Sequence, residues 1–175
     1  MTELDSFNDK LLEGTSRSFY LTLKRLPKSV KGQIGLLYLL ARISDTIADS
    51  GSSGGEDLLE LLEDYNNRAQ GHSNYMPDFS NLSDVQENPA EGLLLRGAHG
   101  PIELLEEASA VDQELIRRCL DIIISGQRMD LERFQDKDGT GIRSLSRYEE
   151  MDDYAYRVAG SVGEFWTEIC LEHAF

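Results

Sequence analysis

Four side chains that can bind a metal ion or a phosphate recur at helical spacing in the most apolar part of the chain: Tyr38, Arg42, Asp45 and Asp49. Positions i, i+4, i+7 and i+11 share one face of a helix. Two carboxylates one turn apart can share Mg²⁺, which keeps several waters and bridges to phosphate oxygens, and Arg42 presents a planar set of donors to the same oxygens. The pattern predicts a magnesium and phosphate site, against the alternative of an Arg42–Asp45 ion pair on a solvated face.

A second candidate lies at the predicted start of a helix, in the sequence Thr-Ser-Arg-Ser-Phe at 15–19. The hydroxyl groups of Ser16 and Ser18 and the guanidinium of Arg17 are suited to bind an anion at such a position. A helix cap beside an exposed arginine explains the same residues without a ligand. Spacing alone favours the cap.

A third candidate is the segment from Tyr154 to Gly163, which has small residues on one side of a predicted helix: Ala159, Gly160 and Gly163. Glycine inside a helix costs about 1 kcal/mol relative to alanine, so it needs a reason to be there. These positions indicate either close packing of another helix or room for a ligand. Packing is the simpler interpretation.

Periodicity and turn residues predict helices along the whole chain, so we expect an all-α fold with a single helical domain over residues 1–175. Predicted helices cover about residues 4–13, 18–26, 29–49, 56–69, 101–108 and 111–134. Ser146 and Glu149 form a capping box for a last helix that runs to the end of the chain. Residues 50–55 are expected to form a linker, and residues 66–92 an irregular crossing that holds a turn of helix.

Composition argues against several classes of function. Lys+Arg 17 against Asp+Glu 32 give a net charge of −15, which repels nucleic acid, so an anionic ligand needs a local metal ion or arginine. The most apolar stretch, 34–47, is interrupted by charged residues, so no transmembrane helix is expected. Residues 1–8 show no targeting signal, which predicts a cytoplasmic protein, and Cys119 and Cys170 are expected to be reduced residues of the core.

Taken together, these segments resemble the squalene/phytoene synthase family, and squalene synthase most closely. The resemblance rests on their order: Thr-Ser-Arg-Ser-Phe at 15–19, Tyr-Leu-Leu-Ala-Arg-Ile-Ser-Asp-Thr-Ile-Ala-Asp at 38–49, and Val-Ala-Gly-Ser-Val-Gly at 158–163. Met-Asp-Leu at 129–131, before Phe134, is also similar to that family. The ordered set is specific, and it spans most of the chain.

The resemblance implies an isoprenoid synthase bundle of helices that joins two prenyl diphosphates head to head. It implies farnesyl diphosphate as substrate, presqualene diphosphate or squalene as product, and NADPH only where the product is squalene. By the same resemblance, Asp45 and Asp49 bind Mg²⁺. The implied catalytic residues are Tyr38, Arg42, Tyr154 and Tyr156, and the implied substrate-binding residues are Ser16, Arg17, Ser18, Phe19, Arg42, Val158 and Gly160.

Two departures from the family leave alternatives open. Arg157 stands directly before Val-Ala-Gly, where squalene synthases often have tyrosine, and the family's second aspartate-rich motif is not among these 175 residues. One alternative is a phytoene synthase that uses geranylgeranyl diphosphate. The other is a non-catalytic helical module that binds a lipid or a partner protein.

The last residues of the sequence lie inside an apolar helix, which is typical of a truncated fold. We therefore expect the N-terminal part of a synthase, with little or no condensing activity of its own. Apolar helix faces exposed in this way favour self-association. An apolar product favours peripheral contact with the inner face of a membrane.

Overall fold

The computed structural model describes residues 3–16, 18–50, 57–133, 145 and 147–175, with side chains from residue 10 onward. These residues form ten α-helices and one π-helical turn, with no strand among them, which confirms the all-α prediction. The helices are α1 (Glu3–Ser16), α2 (Phe19–Arg25), α3 (Lys28–Asp49), α4 (Leu58–Gln70), α5 (Ser80–Asp84), α6 (Pro89–Arg96), α7 (His99–Glu107), α8 (Ala110–Arg133), α9 (Tyr148–Ala155) and α10 (Ser161–His173), with the π-helical turn Tyr156–Gly160 between α9 and α10.

Helix α3 is the centre of the fold. It begins after Pro27, which cannot donate a backbone hydrogen bond and leaves Leu26 in an extended conformation that ends α2. Apolar side chains on more than one side of α3 are buried, including Ile34, Leu40 and Ile43. The helix therefore contacts neighbours on several sides: α1, α2, α4, α6, α7, α8 and α10.

Tyr65 of α4 holds the middle of α3 in place. Its side chain is 0% exposed, and its hydroxyl donates to the carbonyl oxygen of Leu40 at 3.0 Å. The ring also packs edge-on against Phe79, with 6.3 Å between the ring centroids. The contact with Leu40 therefore fixes the middle of α3, the helix that carries the predicted site residues.

Helices α3 and α8 pack side by side and run in the same direction. Near their first turns, Gln33 Nε2 donates to Asp112 Oδ2 at 3.3 Å. The other carboxylate oxygen of Asp112 lies 2.6 Å from Nε2 of His173, so α10 is fastened to the same point. Because α3 and α8 are parallel, their C-terminal ends, which carry Asp49 and Asp130, lie at one end of the molecule.

The predicted helices are confirmed to within a few residues where the structure describes them, but the segment 66–92 is more ordered than expected. It contains α5 and the start of α6, because Asn88 caps the N–H of Ala90 at 3.0 Å and Pro89 occupies the first turn. Of the linker predicted at 50–55, Ser50 is the C-cap of α3 and residues 51–55 lie outside the described residues, as does the capping residue Ser146. The last helix begins at Tyr148, and Arg147 at its N-cap makes no side-chain cap.

None of the described helices combines the length and hydropathy that a bilayer span requires. This agrees with the interruption of the apolar stretch 34–47 by charged residues.

The two cysteines are expected to differ in reactivity. Cys119 is 3% exposed and burial raises the pKa of its thiol to about 11, whereas Cys170 is only half-buried and the two form no disulfide. Because the thiolate is the reactive form, maleimide at neutral pH should label Cys170 and leave Cys119 unlabelled until the chain unfolds. Mass spectrometry of the labelled peptides checks this. Equal labelling of both thiols in the folded chain would contradict the burial of Cys119.

Candidate active site

A cleft of about 370 Å³ opens between α3, α8 and the last helix. Helix α3 contributes Tyr38, Ala41, Arg42 and Asp45 to its wall, and α8 contributes Ile123, Gln127 and Asp130. Helix α9 contributes Tyr154, the π-helical turn contributes Val158, and α10 contributes Val162. The structure thus brings together the predicted face of α3 and part of the predicted segment 154–163.

Arg42 is the centre of an ionic network at the wall of this cleft. Its Nη1 donates to Asp45 Oδ2 at 2.5 Å, and its Nη2 donates to Oε1 of Glu91 on α6. Burial alone would lower the pKa of Arg42, but the hydrogen bond with Glu91 and the charge of Asp45 together raise it above its ordinary value. The Arg42–Asp45 pair that the sequence offered as an alternative is therefore present, although it lines a cleft and is only partly exposed. Arg42 Nε is buried, and no described residue accepts a hydrogen bond from it.

Asp45 and Asp49 form the acidic end of α3. Burial raises the pKa of Asp45, the charge of Asp49 raises it further, and Arg42 opposes both effects. Asp49 is exposed and is the last residue of the helix. The C-terminal end of a helix carries partial negative charge, so the ends of α3 and α8 together favour a cation between them.

These residues fit a magnesium ion that arrives with a phosphate ligand. Among the described residues, no three histidine, cysteine or carboxylate side chains are grouped so that they could hold a metal ion by themselves. Mg²⁺ is commonly bound by one or two carboxylates, with water and substrate phosphate completing its coordination. Asp45 and Asp49 supply such a pair, with the Arg42 guanidinium beside it.

Asp130 also lines the cleft, although the sequence alone assigns it no role. The signal for it is the motif Met-Asp-Leu at 129–131, which resembles the squalene/phytoene synthase family. Tyr154 donates its hydroxyl to Asp130 Oδ2 at 3.1 Å. Burial raises the pKa of Asp130, Tyr154 opposes the shift, and the negative charge of Asp49 adds to it. Asp130 therefore faces the acidic end of α3 from the opposite wall of the cleft.

Tyr38 connects the cleft to the N-terminal helices. Its hydroxyl donates to the carbonyl oxygen of Thr15 at 3.0 Å, and its ring packs on Phe19 with 5.6 Å between centroids. Burial raises the pKa of the Tyr38 phenol, an effect that the positive charge of Arg42 opposes. Tyr38 is therefore held as a neutral donor at the edge of the cleft.

The remaining residues of the segment 15–19 are not part of the cleft wall. Ser16 is buried and donates its hydroxyl back to the carbonyl of Leu12 within α1. Ser18 is exposed, and it precedes α2 without capping it through its side chain. Arg17 lies outside the described residues. Of the described residues in this predicted anion-binding segment, Phe19 is the one that lines a cavity at the site, and it does so as an apolar contact in the adjoining pocket.

In the segment 154–163, Tyr156 and Gly160 turn away from the cleft. Tyr156 donates to Glu164 Oε2 at 2.6 Å on the exposed side of the helix. A Cβ on Gly160 would meet only Tyr156 of the same helix closely, and one on Gly163 would meet nothing within 4 Å. The interpretation of the small residues as a tight helix contact is therefore wrong for the described structure, because the π-helical turn directs Val158 rather than the glycines towards α8.

The close helix contact is made instead by Gly126 of α8. A Cβ at Gly126 would lie 2.9 Å from Val158 Cγ1 and 3.1 Å from Arg157 Cβ. Arg157, the departure from the family pattern, donates from Nη1 to Ser125 Oγ at 2.8 Å and so ties the π-helical turn to α8. One wall of the cleft depends on this contact.

A Gly126→Ala variant is therefore expected to lower the free energy of unfolding by about 1–3 kcal/mol, because the added methyl group pushes α8 away from the π-helical turn. Gly32→Ala in α3 is the matched control. A Cβ there meets nothing within 4 Å, so the change should be neutral or stabilise the chain by up to about 1 kcal/mol. Urea unfolding of both variants measures the difference, and equal effects would contradict the contact.

An apolar pocket of about 100 Å³ adjoins the cleft. The two cavities share Tyr38, Ala41, Ile123 and Val162, and the pocket adds Phe19, Ile34, Leu37, Phe165 and Trp166. Charged groups therefore line one cavity and hydrocarbon lines the neighbouring one. The arrangement suits an amphiphile with an anionic head group and an apolar chain.

The described residues thus form an all-α bundle in which a charged cleft and an apolar pocket lie side by side. A family model for squalene/phytoene synthase matches residues 12–174. The chain belongs to this family, whose members have the all-α isoprenoid synthase fold and transfer prenyl groups head to head from prenyl diphosphates. A search of curated proteins found no match.

Proposed function

We propose that this chain binds farnesyl diphosphate with Mg²⁺ as part of a prenyltransferase that joins two farnesyl groups into presqualene diphosphate or squalene. The observation that supports the proposal is the pair of adjoining cavities, one lined by Arg42 and Asp45 and the other by Phe165 and Trp166. A prenyl diphosphate has the same division into a charged head and a hydrocarbon tail. Membership of the family supports the head-to-head chemistry.

In this proposal the acidic end of α3 and Arg42 receive the diphosphate. Asp45 and Asp49 would hold Mg²⁺, which would supply the positive charge that lets diphosphate leave. Arg42 is held in position by Asp45 and Glu91, and its guanidinium forms part of the cleft wall that the diphosphate would meet. Because the guanidinium is fixed before the substrate arrives, little reorganisation accompanies the cleavage of the C–O bond.

The aromatic and apolar residues act on the hydrocarbon part of the substrate. Phe19 and Tyr38 stack beside the apolar pocket, where their faces can stabilise the allylic cation and exclude water. Tyr154 presents its hydroxyl to the cleft beside Asp130, where the pair can hold or accept a proton. Tyr156 has no such place at the cleft, so the proposal gives its role to Tyr154. Reduction to squalene needs a hydride donor, for which we propose NADPH.

The substrate of 15 carbons is proposed over geranylgeranyl diphosphate because of the resemblance to squalene synthase. The apolar pocket, at about 100 Å³, is smaller than either chain and favours neither. The comparison of the two chain lengths is therefore part of the experiment.

Calorimetry of the chain with farnesyl thiodiphosphate, which resists ionisation, tests the proposal. Binding should require Mg²⁺ and disappear on addition of a chelator. Geranylgeranyl thiodiphosphate should bind no more tightly than the farnesyl analogue, since hydrocarbon that is not buried gains nothing from the pocket. Tighter binding of the longer analogue would favour a phytoene synthase, and absence of Mg²⁺-dependent binding by a folded chain would favour the non-catalytic alternative.

A further inference from the structure

Gln127 is a buried amide in the wall of the cleft that none of the described residues pairs with. The residue is 9% exposed, and its Oε1 is sealed from solvent with no hydrogen-bond partner in the described part of the chain. Methionine or leucine would fill the same volume without the cost of burying an unpaired polar group. Oε1 is out of reach of a ligand, so the reason to keep an amide here must lie with Nε2, which pairs with none of the described residues and is not among the sealed atoms.

The position of Gln127 along α8 locates that contact. Ile123, one turn earlier, belongs to both the apolar pocket and the cleft, whereas Asp130, one turn later, belongs only to the cleft. Gln127 thus lies where the apolar pocket adjoins the charged cleft. In a bound prenyl diphosphate this is the level of the phosphate that carries the prenyl chain.

The chemistry of the amide decides which of its atoms makes the contact. Because Oε1 is sealed in the wall, Nε2 is the atom that Gln127 can present to the cleft. An amide nitrogen only donates hydrogen bonds, and phosphate oxygens only accept them. The cleft is otherwise poor in uncommitted donors on this side, because Asp130 is an acceptor and already receives the Tyr154 hydroxyl.

We propose that Gln127 is a substrate-binding residue whose Nε2 donates to a non-bridging oxygen of the phosphate that carries the prenyl chain. The inference rests on the proposed function, because it takes a prenyl diphosphate as the ligand. A neutral donor at this level binds the leaving group without adding a charge beside the apolar pocket. It also fixes the depth at which the head group stops and the chain enters the pocket.

Two substitutions at this position, measured by calorimetry with farnesyl thiodiphosphate and Mg²⁺, test the inference. Gln127→Met removes the donor and keeps the volume, so the dissociation constant should rise about tenfold. Gln127→Glu replaces the donor by a negative charge, so the rise should be about 100-fold. The order of affinity is therefore expected to be wild type, then methionine, then glutamate.

Gln113 provides the matched control on the same helix. Its Nε2 donates to the carbonyl oxygens of Glu106 and Ala108 at 3.0 and 2.9 Å, outside the cleft. Gln113→Met and Gln113→Glu make the same chemical changes and should alter the dissociation constant less than about twofold. The unfolding midpoint of each variant shows whether a loss of affinity comes from unfolding. If Gln127→Met does not fold, Gln127→Leu is measured in its place, because leucine also removes the donor and has a similar volume.

Each other outcome overturns the inference in a distinguishable way. Tighter binding by Gln127→Glu in the presence of Mg²⁺ would mean that this position contacts the metal ion, not the phosphate. Unchanged affinity in both Gln127 variants would mean that the amide contacts no ligand, while the proposed function stands. Failure of the wild-type chain to bind the analogue removes the proposed function and this inference together.

Discussion

The double variant Asp45→Asn, Asp49→Asn is expected to lose at least about 100-fold of its Mg²⁺-dependent affinity for farnesyl thiodiphosphate. The two carboxylates are the negative ligands that the acidic end of α3 offers to the metal ion, and amides replace them with neutral groups of the same shape. Without the metal ion, the diphosphate meets a chain of net charge −15 with Arg42 as its local cation. Calorimetry at fixed Mg²⁺ measures the loss.

Stability should not explain that loss. Because burial and the charge of Asp49 raise the pKa of Asp45, the folded chain disfavours its ionised form. Removing the charge should therefore leave the free energy of unfolding at neutral pH unchanged or higher.

The control for the double variant is Glu103→Gln, Glu107→Gln on α7, a pair of exposed carboxylates with the same i, i+4 spacing outside the cleft. It removes the same net charge and should change the affinity less than about twofold. If both double variants weaken binding equally, the effect comes from the overall charge, and the assignment of Asp45 and Asp49 as metal ligands fails.

Tyr65→Ala is expected to lower the free energy of unfolding by about 3–5 kcal/mol, a large part of the stability of a domain of this size. The variant leaves a cavity between α3 and α4 at a position that is 0% exposed, and removes the hydrogen bond to Leu40. Tyr65→Phe removes only the hydroxyl and should cost about 1 kcal/mol. Similar losses in the two variants would show that the hydrogen bond, not the packing of the ring, holds α4 to α3.

The same tyrosine gives a pH dependence with a defined sign. Burial raises the pKa of the Tyr65 phenol well above its ordinary value. The unfolded chain therefore ionises this phenol first, so its contribution to stability is complete below about pH 10 and decreases as the pH rises further. Wild-type chain should lose stability more steeply than Tyr65→Phe between about pH 10 and about pH 12. Parallel curves from urea unfolding would contradict the burial of the phenol.

The sequence was sufficient to predict the face of α3, because the spacing of Tyr38, Arg42 and Asp45 within one helix depends only on helical geometry. It could not provide the partners that complete the site. Glu91 lies 49 residues from Arg42 in the sequence. It is on α6, a helix of eight residues whose first residues, Asn88 and Pro89, are also typical of a turn. A helical pattern also does not show that Gln127 is buried, because burial depends on which neighbouring helix covers that face.

The small residues at 159–163 show a different limit. In a regular α-helix, the spacing of these residues predicts that they share one side and pack against a neighbouring helix. The π-helical turn Tyr156–Gly160 changes the angle between successive side chains, so Val158 faces α8 and the close approach falls on Gly126. No periodicity rule based on 3.6 residues per turn predicts that exchange.

The π-helical turn also allows the helical segment to hold one extra residue. A π-helical turn accommodates one residue more than an α-helical turn, so the residues after it keep the side that they would present in a shorter, regular α-helix. Deleting Ala159 and restoring a continuous α-helix would therefore leave Phe165, which is 2% exposed, in the core and Trp166 beside the apolar pocket. A single deletion within Tyr156–Gly160 is thus expected to be tolerated better than a single deletion within α10, where the residues that follow would rotate by about 100° around the helix axis.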